Sequence, residues 1–189
     1  MDYLLLPFVE FEIRLGTITK NSFDSSVDKR HFEKIKESLE SGSWVSTVNN
    51  NTTEFSKDSY RYNNSLMLKE NIVKKDFQFN NSPFDIRLAI NQELSLKSYP
   101  FVKDEDTVTR VKKRKSFISD NFRYDLTEVN EKKNNINKTK YEVEIELLVN
   151  KDTLTWDNRY INDFMECKIY DLINIIEPIE RETFKINII

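Results

Sequence analysis

Clustered glycines are absent from this sequence. It contains two glycines, Gly16 and Gly42, and they lie far apart in the chain. A phosphate-binding P-loop, a dinucleotide-binding turn and a G-x-S-x-G nucleophile elbow each need neighbouring glycines, because backbone N–H groups must approach a ligand closely or form a strained turn. The sequence therefore excludes these three kinds of site.

Histidine and cysteine are equally scarce. A single histidine, His31, excludes two-histidine metal sites, and we interpret it as a residue of a helix surface. A single cysteine, Cys167, excludes a disulfide framework and a thiolate zinc site within the chain. We interpret it as a packing residue. A lone cysteine is typical of a reducing compartment, so we expect an intracellular protein.

Long apolar runs are missing too. None reaches the roughly 18 residues that a membrane span needs, so we expect no membrane partner. The chain has 189 residues, of which 38% are hydrophobic and 32% charged. This length and composition favour a single domain that spans residues 1–189 and has a buried core. The formal net charge of −3 does not indicate nucleic-acid binding, so any such argument must come from the placement of the charges.

Two stretches have the apolar spacing of helices. Residues near 26–41 repeat apolar side chains at intervals of three and four, with Ser25 and Asp28 as a capping box and Gly42 as a C-terminal cap. The same spacing recurs near 158–176, where we expect a second helix. Both helices are amphipathic and need a partner surface.

Short segments of alternating polar and apolar residues occupy much of the remaining chain. They predict a strand near 8–19 and a series of antiparallel strands over 44–149, separated by clusters of Asn, Asp and Ser. Among these, 66–69 and 71–79 are expected as two separate strands. The polar stretch 131–138 is expected to be a mobile loop.

Rows of one charge sign occupy one face of several predicted strands. Same-face neighbours in a strand lie about 6.6 Å apart, so a row of unshielded carboxylates is self-repelling. An ordinary solvated face alternates in the same way, but it mixes charge signs and uses many Thr and Ser residues. The clearest rows are Glu10 and Glu12, then Arg110, Lys112 and Arg114, and finally Glu142, Glu144 and Glu146.

A closed β-barrel with its polar face inward explains these rows better than an open sheet does. Its apolar faces then point outward, where the two helices cover them. The glutamate rows need neutralisation by a divalent cation or by the basic rows. Hard carboxylate oxygens favour Mg²⁺ or Mn²⁺, and rows of Arg and Lys suit a phosphate-rich anion.

Four stretches of the sequence resemble a known family, the triphosphatase tunnel metalloenzymes. They resemble most the metal-dependent RNA 5′-triphosphatases of fungal and viral mRNA-capping enzymes. The CYTH relatives begin with E-x-E-x-K, but here Arg14 stands in the position of that lysine, and the late E-x-E-x-E favours the capping branch. The stretches are EFEIRLG at 10–16, KKRKS at 112–116, RYDLTEV at 123–129 and EVEIE at 142–146. A further stretch, 82–88 continuing to Glu93, also resembles a family strand.

The resemblance implies an eight-stranded antiparallel barrel and a role for each matched residue. The cation ligands would be Glu10, Glu12 and Glu146. The residues that hold water at the metal or the attacking water would be Glu93, Asp125 and Glu144. The phosphate-binding residues would be Arg61, Lys74, Arg87, Lys112, Arg114 and Arg123. The resemblance to the family's sixth strand is loose, so Lys69 or Lys75 could take the place of Lys74.

The implied activity is metal-dependent removal of the γ-phosphate from triphosphate-ended RNA, the first step of cap formation. NTP hydrolysis with manganese is expected as well, and DNA is not expected as a partner. The compact chain resembles the N-terminal domain of a large DNA virus capping enzyme, where a guanylyltransferase domain follows in the same polypeptide. That context implies a virion or the host cytoplasm, and otherwise a nucleus.

Three alternatives remain open from the residues alone. A small-molecule triphosphatase or polyphosphatase of the same fold would use the same γ-phosphate site. A barrel that binds RNA without cleaving it would explain the basic row but not the glutamate rows. An inactive member could serve as a protein-interaction module, although no residue of the motifs is missing.

Overall fold

The structure, a computed structural model, describes residues 6–20, 22–96 and 103–179. Its helices are α1 (Lys29–Glu40) and α2 (Asn158–Ile176), and a short 3-10 helix covers Thr153–Thr155. Neither described helix is long and apolar enough to cross a membrane. The strands are β1 (Val9–Thr19), β2 (Ser22–Asp24), β3 (Ser46–Lys57), β4 (Tyr60–Asn63), β5 (Ser65–Phe77), β6 (Asp85–Leu96), β7 (Val108–Ile118), β8 (Phe122–Lys133) and β9 (Ile136–Leu147).

Eight of the nine described strands close into an antiparallel barrel. Their order is β1-β6-β5-β4-β3-β7-β8-β9, and β9 pairs back onto β1, with Phe11 opposite Leu147 and Arg14 opposite Glu144. The short strand β2 pairs with the end of β1, outside the ring. The predicted eight-stranded antiparallel barrel is therefore confirmed.

The hydrophobic core lies outside the barrel, between one side of its wall and the two helices. On β1, Phe11, Ile13 and Leu15 point into this core, while the alternate residues point into the barrel. The same alternation on β6, β8 and β9 supplies the rest of the apolar wall. Ile35 of α1 and Ile169 of α2 are fully buried against it.

Within residues 6–20, 22–96 and 103–179, no helix covers the opposite side of the barrel, so the expected covering holds for one side only. The reason lies in the composition of β3, whose outward side chains are polar and offer no apolar stripe to bury. These exposed outward residues are Thr47, Asn49, Asn51 and Thr53.

The predicted helices are present, but two details of the first were wrong. Asp28 is the N-cap of α1, and its side chain accepts a hydrogen bond from the Arg30 N–H at 2.8 Å, so Ser25 is not the cap. Ser41, not Gly42, is the C-cap, and Gly42 does not adopt a positive φ. Helix α2 agrees with the predicted bounds 158–176.

The predicted mobile loop at 131–138 was wrong. Strands β8 and β9 stay paired up to Lys133 and Ile136, which leaves a two-residue turn. The turn residues Asn134 and Asn135 have φ values of 48° and 61°. Asparagine tolerates this left-handed conformation, and two such residues in succession form the hairpin turn that matches the twist of the strands.

Strand β5 is continuous where two strands were expected, and it contains a β-bulge. The register shifts by one residue between Asn71 and Val73. Beyond the shift, Lys74 pairs with Ala89 and Asp76 with Arg87. The extra residue therefore keeps Lys74 on the same face of the strand as Lys69, although the two are an odd number of residues apart.

Candidate active site in the barrel interior

The barrel encloses a cavity of about 190 Å³ with a charged wall. Each of the eight barrel strands contributes at least one lining side chain. Within the described part of the chain, seven of the lining residues are glutamates and seven are arginines or lysines. The cavity is therefore close to neutral when all of these groups are ionised, and it can accept a bound anion together with a bound cation.

The register of β1 and β9 brings carboxylates from the two strands together. Glu12 lies opposite Glu146, and directly opposed side chains in a sheet are immediate neighbours. Glu12 accepts a hydrogen bond from Asn91 at 2.7 Å. Nearby, Glu10 accepts one from Lys69 Nζ at 2.7 Å, and Lys69 Nζ also lies 3.2 Å from Glu93. The acidic side of the cavity thus joins β1, β6 and β9.

The basic side of the cavity comes from β7 and β8. Arg114 lies 3.0 Å from Asp125 and 3.3 Å from Glu144. Arg123 lies 3.0 Å from Asp125 and 2.6 Å from Glu146. Because guanidinium groups are planar and always charged, these contacts fix two permanent positive charges beside the carboxylates.

Two neighbouring glutamates on β9 have opposite acid–base behaviour. Burial opposes ionisation of Glu144, but Arg14 and Arg114 more than offset it and lower the pKa of Glu144 to about 2. Burial is the largest influence on Glu146, and although Arg123 opposes it, burial together with the nearby carboxylates of Glu10, Asp125 and Glu144 raises the pKa of Glu146 to about 8. Burial and the neighbouring carboxylates therefore favour the neutral form of Glu146.

The comparison with protein families identifies the chain. Residues 49–181 match the family described as mRNA capping enzyme, beta chain. The chain belongs to this family. It is thus an RNA triphosphatase of the mRNA-capping type, a hydrolase of the RNA 5′-triphosphate end, which confirms the predicted family. No curated protein matches the sequence significantly.

Solved structures of capping triphosphatases have the same fold. The Pct1 RNA triphosphatase of S. pombe is 18% identical, with 90% of this chain and 88% of that chain covered and a TM-score of 0.69. The RNA triphosphatase domain of a trifunctional mimivirus mRNA capping enzyme is 20% identical, with 93% and 92% covered and a TM-score of 0.65. These likenesses establish the tunnel-shaped barrel.

Most of the residues predicted for the capping-enzyme site line this one cavity. They are Glu10, Glu12, Arg61, Glu93, Lys112, Arg114, Arg123, Glu144 and Glu146. Asp125 shares the inward face of β8 with Arg123, but its side chain is only 1% exposed and does not line the cavity. It accepts a hydrogen bond from Ser116 at 2.5 Å in addition to its contacts with Arg114 and Arg123. In this structure Asp125 orients two arginines.

Two residues predicted to bind phosphate lie outside the main cavity of the triphosphatase. Lys74 and Arg87 line an adjoining cavity of about 250 Å³, which shares Arg61 and Lys69 with the main one. Arg87 makes a two-point contact with Asp76, at 2.7 and 2.8 Å. Of the three lysines left open on this strand, Lys69 is the one that lines the main cavity.

Four charged residues of the cavity had no predicted role. Arg14 lies 2.8 Å from Glu144, and Arg110 lies 2.6 Å from Glu142, so both connect to β9. These residues stand within the single-sign rows or next to them, and the rows were the signal that could have found them. Glu54 is different, because no other charge precedes it on its strand and only the pairing of β3 with β7 brings it inward.

A divalent cation agrees with the donor chemistry of the acidic side. Within the described ranges, no three His, Cys, Asp or Glu side chains converge in a metal-holding arrangement. The carboxylates are instead turned toward Lys69, Asn91 and Arg123. Glu146 is nevertheless buried beside the carboxylates of Glu10, Asp125 and Glu144, and a hard cation held by oxygen ligands of this kind would relieve their mutual repulsion.

Proposed function

We propose that this chain removes the γ-phosphate from the 5′-triphosphate end of RNA and that the reaction requires Mg²⁺ or Mn²⁺. The observation that carries the proposal is the enclosed cavity in which carboxylates of β1 and β9 oppose basic side chains of β7 and β8. A triphosphate and a cation together would complement both sides. Family membership supports the same substrate.

Glu10, Glu12 and Glu146 would hold the cation. When bound, the cation supplies Lewis-acid neutralisation of charge on the phosphate oxygens. Until then, Lys69, Asn91 and Arg123 neutralise or hydrogen-bond these carboxylates. Once the cation is bound, Arg123 would be released from Glu146 toward the substrate phosphates. The same side chain would therefore act both before and after the cation binds.

Lys112, Arg114 and Arg123 would bind the substrate phosphates from the basic side, together with Arg61 of β4. Arginines bind phosphate oxygens in a two-point geometry and stabilise the charge that spreads over them during in-line transfer. Asp125 holds Arg114 and Arg123 through a buried carboxylate. Their orientation is therefore set before the substrate arrives, which lowers the cost of reaching the transition state.

Glu93 and Glu144 would orient the attacking water. With a pKa of about 2, Glu144 is fully ionised and accepts hydrogen bonds, but it is a weak base. Phosphoryl transfer to water depends on positioning and charge stabilisation more than on a strong base, so an ionised acceptor is adequate. No covalent nucleophile is required.

The decisive experiment measures γ-phosphate release from a 5′-triphosphate RNA with Mg²⁺ or Mn²⁺ and then with EDTA. We expect metal-dependent release in the wild type and a loss of at least 100-fold in Glu12→Ala and Glu146→Ala. Glu37→Ala is the matched control, since Glu37 is an exposed glutamate of α1. Release in EDTA, or full activity in both cavity variants at unchanged thermal stability, would overturn the proposal.

Nucleoside triphosphates share the reacting group, so we include NTP hydrolysis with manganese in the proposal. A small-molecule triphosphatase is the competing function. Adding ATP to the RNA assay separates the two, because an RNA enzyme should keep cleaving RNA at an ATP concentration far above that of the RNA. Complete suppression by equimolar ATP would favour the small-molecule function.

The proposed product is a diphosphate RNA end, the substrate of a guanylyltransferase. The mimivirus relative is part of a trifunctional mRNA capping enzyme, which supports a guanylyltransferase domain as the partner of this chain, in the same longer polypeptide. The proposed compartment is intracellular and reducing. Adding a guanylyltransferase and labelled GTP should cap the product RNA, whereas a monophosphate product would remain unlabelled.

A further inference from the structure

Glu54 is a buried acid inside the barrel for which the mechanism above has no role. It lies on β3 and is only 7% exposed. Its Oε2 accepts a hydrogen bond from Lys112 Nζ at 2.9 Å. Its Oε1 lies 3.9 Å from Arg110 Nη1 and accepts no hydrogen bond within the described part of the chain. A buried acid needs a cation beside it to stay ionised, because burial favours its neutral form.

Lys112 is the group that needs such an acid. Its side chain is 11% exposed, and its positive charge is repelled by Arg110 of the same strand and by Arg61 of β4. On β8 its paired residue is the uncharged Val129, and from β9 Glu144 faces it across the cavity. Burial and the two arginines lower the pKa of Lys112, and Glu54 is the main influence that raises it.

Arginine keeps its charge in such surroundings, but a buried lysine can lose its proton. Among the three cations that β7 places in the cavity, Lys112 is therefore the one whose charge depends on its neighbours. A neutral amine would lose its attraction to phosphate. The interaction with Glu54 supplies the charge balance that burial removes, and it also directs the ammonium group toward the cavity.

We propose that Glu54 is a positioning residue that keeps Lys112 protonated and directed into the cavity, so that Lys112 binds substrate phosphate into the alkaline range. The inference rests on the proposed function of the cavity. Glu54 itself touches no substrate in this scheme and acts through Lys112. Its effect should therefore depend on pH, unlike that of a residue that only supports the fold.

The test is the pH profile of kcat/KM for γ-phosphate release with Mg²⁺, from pH 6 to pH 9.5, in wild type and Glu54→Gln. Glutamine keeps the size and the acceptor oxygen and removes only the charge. We expect kcat/KM of Glu54→Gln to be within about twofold of wild type at pH 6. At alkaline pH its activity should decline at a pH that is lower than in wild type by about one unit or more. Glu70→Gln, an exposed glutamate of β5, is the matched control and should not shift the limb.

A second background shows whether Lys112 is the responsible group. Lys112→Arg carries a charge that does not titrate in this range, so adding Glu54→Gln to it should leave its alkaline limb in place. An equal shift in both backgrounds would overturn the inference, and so would a uniform loss at every pH. If Glu54→Gln is poorly folded, Glu54→Asp retains the charge and should keep the wild-type limb.

Binding of inorganic tripolyphosphate, measured by calorimetry without metal, distinguishes failure of this inference from failure of the proposed function. An inactive wild type would refute the proposed function, and tripolyphosphate binding would then decide the inference. We expect Glu54→Gln to match wild type at pH 6.5 and to bind at least fivefold more weakly at pH 9. The inference would be overturned if the affinity of Glu54→Gln relative to wild type were the same at both pH values, or if wild type did not bind tripolyphosphate.

Discussion

At the scale of single residues, Glu146 links the charge of the cavity to the stability of the protein. Its pKa of about 8 in the folded protein lies above the ordinary glutamate value of 4.5. Between these two pH values the folded state binds more protons than the unfolded state. The stabilisation from this group is therefore complete below about pH 4.5 and is lost as pH rises through about 8.

Glu146→Gln should remove this pH dependence, because an amide stays neutral throughout. In buffer containing EDTA, we expect the melting temperature of the variant relative to wild type to rise steadily from pH 5.5 to pH 8. For one proton, the difference in the free energy of unfolding between variant and wild type changes by at most about 1.4 kcal/mol per pH unit. Parallel melting profiles of the two proteins across this range would contradict the prediction, and Glu37→Gln provides the control.

Glu54 shows why part of the site could not be predicted residue by residue. The glutamates of β9 stand out in the sequence because three of them alternate with apolar residues. Glu54 follows two threonines, in a strand with few charges. Its place in the cavity comes from pairing with Arg110 on β7, which is far away in the sequence. Long-range register of this kind cannot be inferred from local alternation.

At the scale of elements, the close approach of β2 to β1 depends on Gly16. A Cβ atom at this position would collide with the backbone oxygen of Asp24 and with the ring of Phe23. The backbone oxygen cannot move aside without breaking the pairing of Thr17 with Asp24. The contact therefore requires the absence of a side chain.

Gly16→Ala should lower the free energy of unfolding by about 1–3 kcal/mol, through overpacking. Chemical denaturation measures this directly. Ser22→Ala is the control, since Ser22 lies on the same strand β2 and its side chain is exposed. Equal stability of Gly16→Ala and wild type would show that β2 moves away at no cost.

Local alternation predicted the elements well where strands are regular. The alternating charges of β1, β7 and β9 assigned their inward faces, and the three- and four-residue spacing gave both helices. The method failed at Ile72, where one extra residue in β5 changes which later side chains point inward. It also failed at Asn134 and Asn135, because a polar run is compatible with either a long loop or a tight hairpin.

At the scale of the whole molecule, the balance of charge in the cavity makes the barrel sensitive to single losses. Glu142 is 4% exposed, and Arg110 is its ion-pair partner at 2.6 Å. Removing one member of a buried pair leaves a charge without its partner, which is far more costly than replacing both by apolar groups. The other acids near Arg110 keep a partner, since Glu54 contacts Lys112 and Glu131 contacts Lys140.

Arg110→Met should therefore destabilise the protein by about 3 kcal/mol, and adding Glu142→Leu should recover most of that loss. Urea unfolding of the two single variants and the double variant gives the coupling energy. Additive losses in the double variant would show that the two side chains do not depend on each other.

The closure of the barrel by its first and last strands also has a consequence for synthesis of the chain. Phe11 pairs with Leu147, so more than a hundred residues must be made after β1 before its last neighbour exists. At ribosomal rates of about 5–20 residues per second, β1 keeps one edge open for on the order of ten seconds. An open strand edge recruits other chains. A ribosome that stops before β9 would therefore release a product prone to aggregation and not a partly active enzyme.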